Sequence, residues 1–232
     1  MAIVCFCTSG FVFAHAAQSA AKQQERASVV RRANESYLAG IEALKQRDVR
    51  TARAKFEEAA KLLPESAEAH NSLGYVLLVS GDLDAAIQQL RIAIGLKPEL
   101  AQARSSLSVA LLEKGDVRGA KREASEMVRL FPTSADAYRR LGRALDASGD
   151  LPGGIGAMQK AVELNPEAAE LHDDLGVLLV KQDKTSEAIR EFQEAIRISP
   201  STTEAPLHLG VLYFEQKNLA VAGKLLQEAV KD

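Results

Sequence analysis

The residues that could do chemistry are few and poorly spaced for it. Cys5 and Cys7 are the only thiols and flank Phe6, a pairing that could form half of a metal site. The other half is missing, because no second cysteine pair exists and no histidine lies at ligand spacing to these two, so no metal and no cofactor are expected. His70 and His172 stand where large core-facing residues belong, and His208 has no carboxylate or cysteine at ligand spacing. No serine carries the flanking glycines of a nucleophile elbow. The carboxylate pairs Glu57-Glu58 and Asp173-Asp174 are of the type used in acid–base work, but both lie in charge-rich stretches that read as a solvated helix face. The run Pro152-Gly153-Gly154-Ile155-Gly156 is glycine-rich without being a phosphate loop, since no strand precedes it and no Gly-Lys-Ser/Thr follows. Arg139 and Arg143, one helical turn apart and flanked by Arg140, can anchor a carboxylate or other anion. Asp136, Asp146 and Asp173 are available to neutralise them as surface ion pairs, each worth little. No catalytic residue emerges, and an enzyme is not expected.

Composition narrows the class. The 232 residues are 47% hydrophobic and 26% charged, which is that of a globular chain rather than a disordered one. A net charge of −2 gives no reason to expect a nucleic-acid partner, and with 5% aromatics and no tryptophan a base-stacking surface is not expected. Residues 1–16 contain no charged side chain and end in Ala14-His15-Ala16, which fits the small-residue cleavage site of an export signal. No Lys or Arg precedes that apolar run, which is too short for a transmembrane span of about 20 residues. The expectation is an exported, periplasmic or extracellular protein, the alternative a cytoplasmic one. Removal of the segment would leave a chain without thiols, suited to an oxidising compartment.

What must position everything else is a repeat. Pro64, Pro98, Pro132, Pro166 and Pro200 follow one another at steps of 34 residues. Asp48, Asp82, Asp116 and Asp150 keep the same step, as do Gly40, Gly74, Gly142, Gly176 and Gly210, with Ser108 filling the gap. After an N-terminal helical extension at 17–32, six repeats follow without insertion: 33–66, 67–100, 101–134, 135–168, 169–202 and 203–232. Each reads as two helices. In repeat two, Leu73, Leu77 and Leu78 keep helical spacing, and so do Ala86, Leu90, Ala93 and Ile94. Gly81 is placed to end the first helix in the left-handed conformation, Asp82 to start the second, and Pro98 to stop it. Gly74 and Ala86 are expected to face each other where the helices of one hairpin approach closely. One hairpin cannot bury its apolar face alone, but stacked hairpins can.

His70, Leu73-Gly74, Ala86, Leu90, Ala93 and Pro98, and again His172, Leu175-Gly176, Ala188, Phe192, Ala195 and Pro200, resemble the motif of the tetratricopeptide repeat family. The resemblance covers about residues 33–232. It implies an all-α fold, a right-handed superhelical solenoid of six stacked antiparallel hairpins. Departures fall in repeat three, with Ser108 for glycine and Met127 for alanine, and in repeat four, with Gly154 for alanine. Glycine costs about 1 kcal/mol against alanine inside a helix, so residues 152–160 should form the softest second helix.

The resemblance also implies a function: a scaffold or adaptor that binds a peptide or helical segment in the concave groove. The alternative is the recognition arm of a larger enzyme or assembly, such as a glycosyltransferase, whose catalytic part lies elsewhere. In this family the groove is lined by the second, fifth, ninth and twelfth positions of each first helix. The candidate groove residues are Tyr37, Ile41, Leu44, Asn71, Tyr75, Leu78, Val109, Leu112, Arg139, Arg143, Val177, Val180, Val211 and Phe214. Ninth and twelfth positions are apolar except in repeat four, where Arg143 and Asp146 stand. The family's basic clamp for a terminal carboxylate is not reproduced, because Asn71 is followed by Tyr75 and every second position is acidic or amide. A heat-shock-chaperone adaptor is therefore not expected. At the C-terminal edge, Leu219, Leu225, Leu226 and Ala229 should be partly bare, which points to self-association or docking of a further segment there.

Overall fold

The hydrophobic spacing is realised as helices throughout. The computed structural model describes residues 7–229, with side-chain surroundings from residue 18 onward. The thiol-pair and cleavage-site readings at 1–16 therefore fall outside the described side chains. The helices are α1 (Cys7–Lys45), α2 (Val49–Leu62), α3 (Ala67–Val79), α4 (Leu83–Leu96), α5 (Ala101–Glu113), α6 (Val117–Leu130), α7 (Ala135–Ala147), α8 (Leu151–Leu164), α9 (Ala169–Lys181), α10 (Thr185–Ile198), α11 (Glu204–Glu215) and α12 (Leu219–Ala229). Odd-numbered helices are the first of each hairpin and even-numbered ones the second. The extension at 17–32 runs without a break into repeat one as part of α1. The chain forms two compact blocks, one up to Ala103 and one from Arg104.

Each first helix ends on a residue in the left-handed region. Gly81, Gly115 and Gly149 hold φ of 78°, 85° and 85°, while Arg47, Asp183 and Lys217 hold 58°, 59° and 62° at the same repeat position. The turn is thus fixed by the hairpin and not by glycine alone. After it, the Asp48, Asp116 and Asp150 carboxylates accept from the amides of Thr51, Gly119 and Gly153, satisfying helix-start donors that would otherwise lack a partner. Asp82 sits at the same start but makes no such bond. Its Oδ2 instead accepts from Arg53 Nη2 of α2 at 3.3 Å.

Close approach within the hairpin sets the core. An added Cβ would lie 2.8 Å from Phe56 at Gly40, 2.6 Å from Leu90 at Gly74 and 2.6 Å from Phe192 at Gly176. The nearest neighbour of Gly74 is Leu90, one turn beyond Ala86 on the second helix. Phe56, Leu90 and Phe192 are at most 1% exposed. Burying one such side chain stabilises by about 1.5–3 kcal/mol. Repeat three inverts the volumes. Ser108 is fully buried and its Oγ donates to the Ala120 carbonyl at 3.4 Å, while Ala124 holds the repeat position where other repeats carry a large residue. Met127, 1% exposed, restores bulk one turn on. The departures at Ser108 and Met127 thus compensate each other.

Two glycines of the cluster in repeat four have a close neighbour where a side chain would stand. A Cβ at Gly153 would meet the capping Asp150 carboxylate at 2.6 Å, and one at Gly154 would meet the Gly142 carbonyl oxygen at 3.0 Å. Of the three glycines in the cluster, Gly156 alone faces open space. The histidines at the fourth position of repeats two and five do more than fill the core. His70 Nε2 donates to the Pro64 carbonyl and His172 Nε2 to the Pro166 carbonyl, both at 3.0 Å, while their Nδ1 atoms lie 2.7 Å from Gln89 Oε1 and Glu191 Oε2. Each ring ties the loop before its hairpin to the hairpin's second helix. Arg104 holds the same position in repeat three and pairs with Glu123 at 3.0 Å.

The side chains of the C-terminal edge are partly bare. Leu225, Leu226 and Ala229 are half-buried, and Leu226 is the residue that packs over Gly210 inside the last hairpin. Leu219, at 62% exposed, is the open one.

Two alanine substitutions separate helix propensity from packing. Gly156→Ala should raise the urea midpoint by the equivalent of about 0.5–1 kcal/mol, because nothing stands where its methyl would go. Gly176→Ala should lower it by about 1–3 kcal/mol, because the methyl meets the buried Phe192 ring.

Candidate functional site

The sequence-selected groove residues all lie on first helices, and none is fully buried. They differ in what they do. In the N-terminal block Tyr37 is largely committed to packing. Its ring meets Phe56 edge-on at a centroid distance of 5.5 Å, and its hydroxyl accepts from Ser72 Oγ at 3.3 Å. Ile41, Leu44 and Leu78 pack half-buried against the same core. Tyr75 projects outward at 46% exposed, and beside it Asn71 holds a buried Oδ1 that accepts no hydrogen bond among the described residues.

In the C-terminal block Val109 and Leu112 are half-buried on α5, and Val177 and Val180 on α9 pack against the core. Val211 and Phe214 on α11 are 45% and 59% exposed. Leu207, one turn before Val211 and not selected from the sequence, is 45% exposed. The three form an apolar stripe, since steps of four and three residues return to one helix face. The signal was legible: Leu207 is the one apolar residue at the fifth position of any repeat after Tyr37. Beside the stripe, between α9 and α11, lies a hollow of about 230 Å³ floored by Val177, Val180, Phe192, Val211 and Leu212. Lys181, His208 and Glu215 stand around it.

The charges on this face are mostly paired, but not as the sequence suggested. Arg139 Nε donates to Asp174 Oδ2 at 2.5 Å, joining α7 to α9. Lys181 Nζ donates to Asp146 at 2.5 Å across the same two helices, and His208 Nδ1 lies 2.8 Å from Asp173 Oδ1, joining α9 to α11. Arg140 pairs with Asp136 at 2.9 Å and donates from Nε to Ser105 Oγ at 2.9 Å. Of the three expected neutralisers, Asp136 takes an arginine, whereas Asp146 and Asp173 take Lys181 and His208 instead. The Asp173-Asp174 pair is no solvated face, with side chains only 15% and 23% exposed. Adjacent residues on a helix point about 100° apart, so one reaches forward to α11 and the other back to α7.

These rungs share one offset. Ser105–Arg140, Arg139–Asp174, Asp146–Lys181 and Asp173–His208 each span 35 residues. The repeat length plus one was the signal that could have found them. Burial pulls the Arg140 guanidinium below its ordinary value; the Asp136 carboxylate opposes this and the Arg139 charge reinforces it. Arg143 is exposed and makes no hydrogen bond or ion pair with any described residue.

His208 is the titrating member of the ladder. Its hydrogen bond to Asp173 raises its pKa above the ordinary 6.5, against the opposing effect of burial, with the charges of Asp173, Glu204 and Asp174 adding to the rise. A raised histidine stabilises the fold fully below the unfolded value, and that contribution disappears as pH rises through the folded value. In a proton NMR titration His208 should therefore titrate above 6.5, and Asp173→Asn should bring it down. The stability difference between wild type and Asp173→Asn should be largest in mild acid and vanish in mild alkali.

The sequence pattern described as tetratricopeptide repeat matches residues 37–101, 106–169 and 174–232. Tetratricopeptide repeat protein 36 of Xenopus tropicalis is 34% identical over 67 residues, which are 29% of this chain and 33% of that protein. The chain thus matches about a third of that curated relative's length. The structure is similar to that of MamA from Desulfovibrio magneticus RS-1, with a TM-score of 0.62, 27% identity and coverage of 73% of this chain and 96% of that one. It also resembles a thermophilic TPR protein of Thermus thermophilus, with a TM-score of 0.70, 19% identity and coverage of 78% and 99%.

Proposed function

The chain belongs to the tetratricopeptide repeat family, and we propose that it is a protein-binding scaffold that takes a peptide or helical segment along the face of its first helices. The observation that carries this reading is the stripe Leu207, Val211 and Phe214 beside the hollow between α9 and α11. Exposed apolar side chains contiguous on one helix, next to a concave apolar floor, are what an amphipathic segment buries on docking. The ion-pair ladder supports the same use. It holds α7, α9 and α11 in register, so the face is shaped before a partner arrives and little ordering is left to oppose binding.

The reading includes export. Residues 1–16 are uncharged and end in Ala14-His15-Ala16, and positions 18–27 of α1 are exposed. Among the described side chains, burial begins at Ser28, ten residues beyond the first of them.

Both parts can be measured. The chain starting at Ala17, used as bait in native extract, should retain a partner identified by mass spectrometry. Val211→Asp and Tyr75→Ser replace exposed side chains and should leave the helical circular-dichroism signal intact. Val211→Asp should weaken capture by about tenfold or more, the equivalent of about 1.4 kcal/mol. Undiminished binding by both variants would move the partner off the first helices. Mass spectrometry of the native protein should show a mature start near Ala17, and an intact Met1 terminus on a cytosolic pool would refute export.

A further inference from the structure

Between residues 139–147, 173–181 and 207–215, the facing stretches of α7, α9 and α11, there are nine ionisable acidic or basic side chains. Arg139 is taken by Asp174, Lys181 by Asp146, His208 by Asp173, and Arg140 by Asp136. That leaves Arg143 on α7 and Glu215 on α11, both exposed and both without a hydrogen bond or ion pair to any described residue. Arg143 stands on α7, which is bonded to α9, and Glu215 on α11, where it borders the hollow between α9 and α11.

From this charge pattern we infer that the occupant of the face is an amphipathic segment with a fixed polarity: an acidic side chain over Arg143, a large aliphatic or aromatic side chain in the hollow, and a basic side chain beside Glu215. This rests on the scaffold reading and specifies its partner. Two physical points select that occupant. The hollow is apolar-floored and about 230 Å³, room for one large apolar side chain rather than a charged one. The two free charges are opposite in sign and on different helices, so a segment with the same charge at both ends would meet a like charge at one of them. The internal pairs contribute no such preference, because each carboxylate there already has its cation.

The test uses the full chain and a peptide array in which acidic, neutral and basic residues are permuted on either side of a central leucine or phenylalanine. Wild type should favour peptides with acid on one side and base on the other over their charge-neutral versions by about fivefold. Arg143→Glu should move the preference on the acidic side to basic residues, and Glu215→Lys should move the basic side to acidic ones. Both residues are exposed, so the reversals leave the core untouched. Binding abolished by Val211→Asp but indifferent to both reversals overturns the polarity and leaves the scaffold reading standing. Binding that survives Val211→Asp overturns both. An array on which charge placement makes no difference to the wild type also overturns the polarity.

Discussion

Everything in this chain depends on how closely two helices of one hairpin approach. At Gly40, Gly74 and Gly176 the first helix has no side chain, and a phenylalanine or leucine of the second helix fills the space where one would stand. Interiors packed to crystal-like density leave no slack at such a contact. The approach fixes the angle between the two helices. It thereby decides which residues of the first helix remain outside, and so where a partner can touch. The face carrying Leu207, Val211 and Phe214 exists because Leu209 and Leu212 on the same helix are turned inward and held there.

A second layer of order runs between hairpins. The rungs offset by 35 residues link α7 to α9 and α9 to α11, with partly buried acidic groups on α9 serving both neighbours. Partly buried pairs of this kind contribute modestly to stability, since desolvation offsets much of the attraction. Their larger effect is on register. A slide of α7 past α9 by one turn would lose both rungs between them and leave carboxylates uncompensated. The ladder also removes charge from the face, which is why so few side chains remain to speak to a partner electrostatically.

How much of this was readable differs by level. The period, the paired helices, the left-handed turn at Gly81 and the caps at Asp48, Asp116 and Asp150 follow from residue types at fixed steps, because each is local physics. Asp82 starts its helix as its place in the repeat implies, but its carboxylate pairs with Arg53 of α2, a tertiary partner that the local pattern does not show. The pairing of Asp173 and Asp174 was missed for the same reason: their partners lie one repeat away in each direction, and charge density along the chain says nothing about which neighbour a helix face meets. Of the candidate groove, apolar identity at the ninth and twelfth positions was legible. The split between Tyr37, which packs, and Tyr75, which projects, was not, because it depends on Phe56 lying opposite one and not the other.

The volume exchange in repeat three constrains how such a gene can be rearranged. Ser108 goes with Ala124 at the repeat position where others carry a large residue, and the missing bulk reappears at Met127. The three substitutions straddle both helices of one hairpin. A crossover between repeats would carry all three together and deliver a sound hairpin. A crossover in the turn at Gly115 would join a serine-bearing first helix to a second helix built for glycine, where Leu90 or Phe192 has its counterpart, and the two would collide. For repeat three, recombination that preserves folding is therefore confined to the proline-marked junctions, where the whole hairpin moves as one unit.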